Sequence, residues 1–428
     1  MSSFSTTASQ PHLPLYIDVL GSGAVACTLA GYLKVNSTFT SSLSTDLPIP
    51  FPPVTLLTRH DNPSIDVELT HGLSDDIKSP LNFNVDCCKS LSSNYQTYVR
   101  NQTDDNPHHR FVICTTKAYD AVSAIKDLLL EGSDNDGGND GDGDKVNVVK
   151  NYNSMIHLVI ISNGSLAIYD ELCRSPLMSI KNYRCLNSIS LVSTTLGSYL
   201  TTSTNNDKTL NKTVTNVSPG LTIIPSKPMI TMSDEAHYQP PLHALKSLLS
   251  PSAVSILSRD EMYISLWEKL GVNSIINPLS VIKRCVNGEV LKPEVGTRSG
   301  KGGGIEVEGK IVDVDKLIGD IVTVGRWDLK SREPKSGESC TTSSTGKEFT
   351  IPSLRKLVDN VIVRTKLNRS SMLQDLEKGA TRTEIEYFNG FIIDKRKEMM
   401  DGCDDLPKGE EEEWGEEIKI LYNKVKER

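Results

Sequence analysis

Residues 16–26 read YIDVLGSGAVA, and this stretch limits the possible folds more than any other in the chain. An apolar, β-branched run ends on a glycine, and small residues suited to a helix follow at once. Gly21 permits a tight turn, Gly23 lets another group approach the backbone closely, and the small Ala26 lets the helix pack against the strand. Gly21, Ser22, Gly23, Ala24, Val25 and Ala26 thus have the G-x-G-x-x-A form of a turn whose helix N-terminus receives a dinucleotide pyrophosphate. A chance glycine-rich turn is the alternative, and the strand–turn–helix context weighs against it.

Further strand patterns at 54–58 (VTLLT), 111–116 (FVICTT) and 156–162 (IHLVIIS) alternate with helical ones, which predicts a parallel sheet with helices on its faces. From about 259 the period changes. WEKLGVNSIINPLSVI, SLRKLVDNVIVRTKL and TEIEYFNGFIIDKRKEMM place apolar residues three and four apart, as helices do. The expectation is an α/β Rossmann-type domain over 15–258 followed by an all-α domain over 259–428. EGSDNDGGNDGDGD (131–144) cannot bury enough apolar surface to fold, so a disordered insertion is expected near 131–146. A calcium loop there lacks the closing Glu and flanking apolar helices. Stretches near 198–218 and 291–350 read as added loops, and the charged C-terminal tail as a solvated helix.

The strand VTLLT runs into Arg59-His60, where NAD binders place an acid for the ribose hydroxyls. A guanidinium instead suits the 2′-phosphate, which favours NADPH/NADP+ over NAD; Asp61, two residues on, is the residue that argues the other way. The formal charge is −8 with no basic tract interleaved with aromatics, so no nucleic-acid partner is expected. The nine cysteines form no CxxC pair and the eight histidines no metal-ligand spacing, so no metal site is expected. No apolar stretch could span a bilayer, and the N-terminus lacks a secretory pattern, so no membrane partner and a cytoplasmic location are expected.

Lys269, Asn273 and Asn277 fall at i, i+4 and i+8 and line one side of a helix among Trp267, Leu270, Ile275 and Ile276. Such a row is either hydrogen-bonding glue between helices or a polar site made of an amine and two carboxamides; spacing alone leaves both open. Apolar packing would lower a lysine toward neutral pKa, where it can protonate a nascent alkoxide. Pro278 should kink the helix by freeing a carbonyl.

SLWEKLGVNSIINPLS followed by Asn287-Gly288-Glu289, then NRSSMLQD (368–375) and TEIEYFNGF (383–391), resemble the ketopantoate reductase family. GSGAVA, Thr116-Lys117-Ala118 and Ile161-Ser162-Asn163-Gly164 match the same family in the same order, so the resemblance covers both halves. It implies a C-terminal domain like that of 6-phosphogluconate dehydrogenase and hydride transfer from NADPH to 2-dehydropantoate (ketopantoate), giving pantoate for pantothenate and coenzyme A. By that resemblance Lys269 is the proton donor, and Glu384 orients the lysine, the substrate hydroxyl or both while touching the cofactor. Asn163, Asn273, Asn277, Asn287, Asn368 and Ser371 would bind substrate. Asn163, Lys117 and Ser198 would contact the cofactor beside Gly21–Ala26 and Arg59. A homodimer is compatible with the sequence. Two local alternatives are capping boxes, Ser371 with Gln374 and Thr381 with Glu384, which would simply start helices. The chain departs from the family at Ala26 (usually Gly), at Leu196 (usually polar) and in the expansion after Asn287. Two other functions remain open: a related NADP-dependent ketoacid or imine reductase, and a non-catalytic NADP-binding sensor or scaffold.

Overall fold

Apolar, β-branched runs dominate the first half of the chain, and they assemble into one ten-stranded sheet. The computed structural model describes residues 15–21, 23–31, 33, 54–58, 64–70, 81–89, 108–129, 154–175, 186–195, 197–204, 210–218, 221–231, 253–292, 304–307, 309–332, 347–402 and 415–428. The chain divides into two units: 1–116, 123–161 and 176–255 form the first, and 117–122, 162–175 and 256–428 the second.

The first unit contains β1 (Leu15–Leu20), β2 (Val54–Thr58), β3 (Ser64–Thr70), β4 (Leu81–Lys89), β5 (His108–Cys114) and β6 (Ser154–Ile160). It continues with β7 (Leu186–Leu191), β8 (Ser193–Thr194), β9 (Gly197–Thr204), β10 (Leu210–Ser218), β11 (Leu221–Pro225) and β12 (Ile230–Thr231). The sheet order is β12-β7-β6-β5-β1-β2-β4-β3-β10-β9. Pairing is parallel from β7 through β4, and antiparallel at β12–β7, β4–β3 and β10–β9. Every residue of β2 is buried, as expected for a strand covered on both faces, and Ile17, Val19, Phe111, Ile113 and Val159 join the same core. Helix α1 (24–31) follows β1. The chain then pairs β2 on one side of β1 and β5 on the other, so the carboxyl end of β1 is a topological switch point, where doubly wound sheets bind ligands. Gly21 sits at that point.

Two expected loops are strands or helices instead. Across the 198–218 stretch, Gly197–Thr204 and Leu210–Ser218 pair antiparallel as β9 and β10 at the sheet edge, because its many threonines are β-branched and suit an extended backbone. The middle of 291–350 forms a hairpin (Ile305–Val307 with Lys310–Val312) and an 18-residue helix starting at Val314. Its glycine- and serine-rich flanks drew attention away from the VDKLIGDIVTVGRW periodicity between them. The expected insertion at 131–146 lies outside the described residues.

The second unit is helical. Helix α2 (Ala118–Leu129) begins in it, α3 (Ser165–Arg174) lies in it, and α4 (Arg259–Lys283) is its central element. Around α4 stand α5 (Val314–Ser331), α6 (Ile351–Arg364), α7 (Ser371–Glu377), α8 (Phe391–Asp401) and α9 (Glu416–Lys426). A Ser258–Glu261 capping box starts α4, and most of its residues are buried. Fully buried Trp267 packs near Phe349 and Phe391 and donates its indole N–H to Asp328 at 2.9 Å. Asp328 and Asp170 also bind Arg332 and Lys395, so α3, α5 and α8 are joined by a charge-balanced buried network. The C-terminal helix α9 is not simply solvated: Ile418, Leu421 and Val425 repeat on one face and are buried. Among the described residues no helix is long and apolar enough to cross a membrane.

One buried ion pair in the sheet escaped the sequence reading. Asp18 on β1 accepts a hydrogen bond at 2.6 Å from Arg110 on neighbouring β5, both side chains are essentially inaccessible, and the guanidinium lies 4.7 Å from the Tyr16 ring centroid. Removing one partner takes from the other its ion pair inside the sheet. Asp18→Leu is therefore expected to destabilise the protein by about 3–5 kcal/mol in urea unfolding, with the Asp18→Leu/Arg110→Met double variant losing much less. Equal losses in the two variants would contradict this.

Candidate active site

The carboxyl ends of β5 and β6 each run into a turn belonging to the helical unit, and the two turns meet at one carboxylate. Lys117 and Ala118 lie in the first turn, and Asn163 and Gly164 in the second. Glu384 is 1% exposed. Its Oε1 accepts the Ala118 N–H at 3.3 Å, one of the donors that the first turn of α2 leaves unmatched within the helix. The Asn163 side chain hydrogen-bonds the same carboxylate. The Lys117 ammonium stands 3.9 Å from Glu384 Oε2 and donates to Asp375 Oδ2 at 2.6 Å. Burial raises the Glu384 pKa above the usual carboxylate range, while Lys117, the Ala118 N–H and Asn163 pull against it. Burial would also lower the Lys117 ammonium, but Glu384 and the Asp375 hydrogen bond outweigh it and raise its pKa.

Lys269 lies half-buried on α4. Burial pushes its ammonium down to about 8, and the negative charge of Glu384 opposes that fall. The amine and the carboxylate therefore sense each other's charge. Asn273 and Asn277 follow on the same side of α4, with Asn277 buried.

Asn287 and Asn368 are brought together through the backbone: the Asn287 N–H donates to the Asn368 carbonyl at 2.9 Å. The Asn287 carboxamide donates to Thr365 Oγ1 at 2.9 Å, and Asn368 is exposed. Gly288 fits only without a side chain, since a Cβ would stand 2.8 Å from the Lys366 carbonyl oxygen.

Neither expected capping box forms. Ser370, not Ser371, caps α7 and accepts the Leu373 N–H at 3.1 Å; Ser371 is the first helical residue. The Ser370 hydroxyl also bonds Ser280 on α4, which ties the start of α7 to the central helix. Glu384 turns to Ala118 rather than to Thr381, and Thr383 Oγ1 accepts the Ile385 N–H instead.

In the first unit the described residues of the GSGAVA segment leave room for a pyrophosphate. Gly21 has φ +122°, and a Cβ there would lie 2.8 Å from Thr115 Oγ1. A Cβ at Gly23 would meet nothing within 4 Å, so its backbone is open to close approach. The described part of the turn thus fits a dinucleotide. Ser22 and Arg59 lie outside the described residues. Ser198 stands apart from this turn in the sheet order. On edge strand β9 it pairs with Asn216 of β10, five strand spacings from β1, or about 24 Å at the usual interval. The structure does not bring it to the GSGAVA turn.

Asp375 and Asn389 had been given no role. Asp375 ends the NRSSMLQD segment one turn after Ser371 and Asn389 lies in TEIEYFNGF, but only the fold shows what each touches. Among the described residues no group of acids, histidines and cysteines could hold a metal.

The first unit is a Rossmann-type sheet with a glycine turn at its switch point, and the second is helical and carries a lysine and a buried glutamate. Residues 314–399 match the family model described as ketopantoate reductase C terminal. A 2-dehydropantoate 2-reductase of Archaeoglobus fulgidus is 30% identical over 146 residues, covering 34% of this chain and 37% of that protein. The matched segments span between about a third and a half of the curated relatives' lengths. Two solved structures share the fold across 96% of this chain and 99% of their own, each with a TM-score of 0.52. One is a Bacillus subtilis protein described as a probable 2-dehydropantoate 2-reductase, 17% identical. The other is a D-mandelate dehydrogenase with NADH and anilino(oxo)acetate, 14% identical. Over these segments the chain is similar to ketopantoate reductases, and its fold is theirs.

Gly164 holds the second turn in place. Its φ is +72°, and a Cβ would fall 2.8 Å from the Tyr387 Cβ, three residues past Glu384. Gly164→Ala is expected to cost at least about 1–2 kcal/mol through the left-handed backbone alone, measured by thermal unfolding. A variant as stable as the parent would show that the Tyr387 contact is not fixed.

Proposed function

We propose that the chain is an NADPH-dependent 2-ketoacid reductase whose substrate is 2-dehydropantoate, reduced to pantoate on the route to pantothenate and coenzyme A. The observation that carries this reading is the pairing of Lys269, its pKa brought down to about 8, with the buried carboxylate of Glu384. Ketone reduction needs an acid beside the carbonyl oxygen that is still protonated near neutral pH yet releases its proton readily. A lysine with a pKa near 8 meets both needs.

Bound NADPH supplies the hydride that adds to C2 of the ketone. Lys269 gives its proton to the carbonyl oxygen as the C–O double bond becomes single, and leaves as the neutral amine. Glu384 keeps negative charge close to that amine and so favours its protonated form before each turnover. Asn273, Asn277, Asn287 and Ser371 offer amides and a hydroxyl to the substrate carboxylate and hydroxyl without adding charge, with Asn368 beside Asn287. Lys117 and Asn163, both held by Glu384, are assigned to the cofactor together with Gly21–Ala26 and Arg59, and Asn163 also to the substrate. The preference for NADPH over NADH rests on Arg59. Ser198 is left out of this set.

Purified protein is expected to oxidise NADPH on addition of 2-dehydropantoate, with kcat/KM falling as pH rises through about 8 and Lys269 loses its proton. Lys269→Ala is expected to lower kcat by about 10²–10⁴-fold and to remove that alkaline limb. Turnover with another 2-ketoacid alone would keep the reaction class and overturn the substrate. NADPH binding with no turnover would instead make the chain a cofactor-binding sensor.

A further inference from the structure

Pro278 lies inside α4 one residue after Asn277, and the helix continues past it to Lys283. Proline has no backbone N–H, so the carbonyl four residues earlier, that of Ser274, loses its helical partner. Ser274 is fully buried, and water is no ready substitute. An unmatched buried carbonyl is costly, and a proline-containing helix normally kinks or frays at that point.

The structure fills the gap from another segment. Asn389, itself fully buried, donates its side-chain amide to the Ser274 carbonyl at 3.1 Å. It can do so because residues 386–390 form a π-helical turn before α8. The wider turn follows directly on Glu384 and Ile385, and such turns concentrate at functional sites. One side-chain hydrogen bond therefore joins the part of α4 that carries Asn273 and Asn277 to the segment that carries Glu384.

We propose that Asn389 is a positioning residue: its amide replaces the hydrogen bond that Pro278 removes from α4, and so fixes Asn277 and Asn273 relative to Glu384. This rests on the reading of those side chains as the substrate site. Neither the asparagine row nor the carboxylate needs Asn389 for its own chemistry; what Asn389 supplies is their mutual placement. Its loss should weaken substrate binding more than the proton-transfer step.

The test uses the full chain in four forms: unaltered, Asn389→Leu, Pro278→Ala, and the double variant. Leucine has nearly the shape of asparagine and no donor. Alanine at 278 restores a backbone N–H that can reach the Ser274 carbonyl. Asn389→Leu is expected to raise KM for 2-dehydropantoate about tenfold, with kcat within about threefold, as expected when binding common to ground and transition states is lost. It should also speed amide hydrogen exchange in peptides covering 270–285. In the Pro278→Ala background the same substitution should change neither quantity by more than about twofold, since the carbonyl already has its partner. Equal effects of Asn389→Leu in both backgrounds would overturn the proposal, as would a fall in kcat with KM unchanged. If Asn389→Leu alone fails to fold, folding of the double variant supports the proposal and its failure overturns it. The exchange comparison needs no substrate, so it decides the Asn389–Pro278 relation even if the unaltered protein reduces no ketoacid.

Discussion

The helical unit is organised around a carboxylate that solvent barely reaches. A buried carboxylate is costly unless donors surround it. Glu384 is met from two separate turns: by the Ala118 N–H and the nearby Lys117 charge from one, and by Asn163 from the other. Those contacts offset part of the burial cost and fix the two turns with respect to the segment that carries Glu384. Gly164 and Tyr387 pack where a larger residue would not fit, so the same arrangement is enforced sterically. Fold and chemistry thus depend on one charge. The environment that makes Glu384 expensive to bury also lets it be felt by Lys269.

A second constraint acts from beneath. Trp267, two residues before Lys269, is locked by its indole hydrogen bond to Asp328, and Asp328 is itself shared with Arg332 and Lys395. On the other side, Ser280 is tied to Ser370, the cap of the helix that begins with Ser371. Asn273, Asn277 and Ser371 therefore stand on helices anchored by buried polar bonds, while α4 itself is gripped by apolar neighbours. Such support keeps side chains within the narrow tolerances that catalysis needs.

Much of this was legible in the sequence, for identifiable reasons. The strand–turn–helix at Gly21 was readable because its requirements are local: a positive φ at one glycine and open space at the next. The Lys269–Asn273–Asn277 row was readable because helical spacing puts the three side chains on one line. The carbonyl freed by Pro278 was foreseen, but not its partner, since Asn389 is brought to it by folding and is 115 residues away along the chain. Asp18 with Arg110 and Lys117 with Asp375 were hidden for the same reason. The β9–β10 pairing and the helix starting at Val314 were missed because composition was weighed over periodicity in stretches rich in Thr, Gly and Ser. Both capping-box patterns were present but neither forms, since Ser370 rather than Ser371 is the cap and Glu384 accepts the Ala118 N–H instead.

The central claim is that Lys269 is an acid tuned by burial and by Glu384. The most direct measurement is an NMR titration of the lysine side chains in the intact protein, with Lys269 assigned through Lys269→Arg, repeated in Glu384→Gln. The account predicts a Lys269 midpoint of about 8 in the unaltered chain, and a lower one once the carboxylate is neutralised. A midpoint near the ordinary lysine value of about 10.4, or one indifferent to Glu384→Gln, would contradict it.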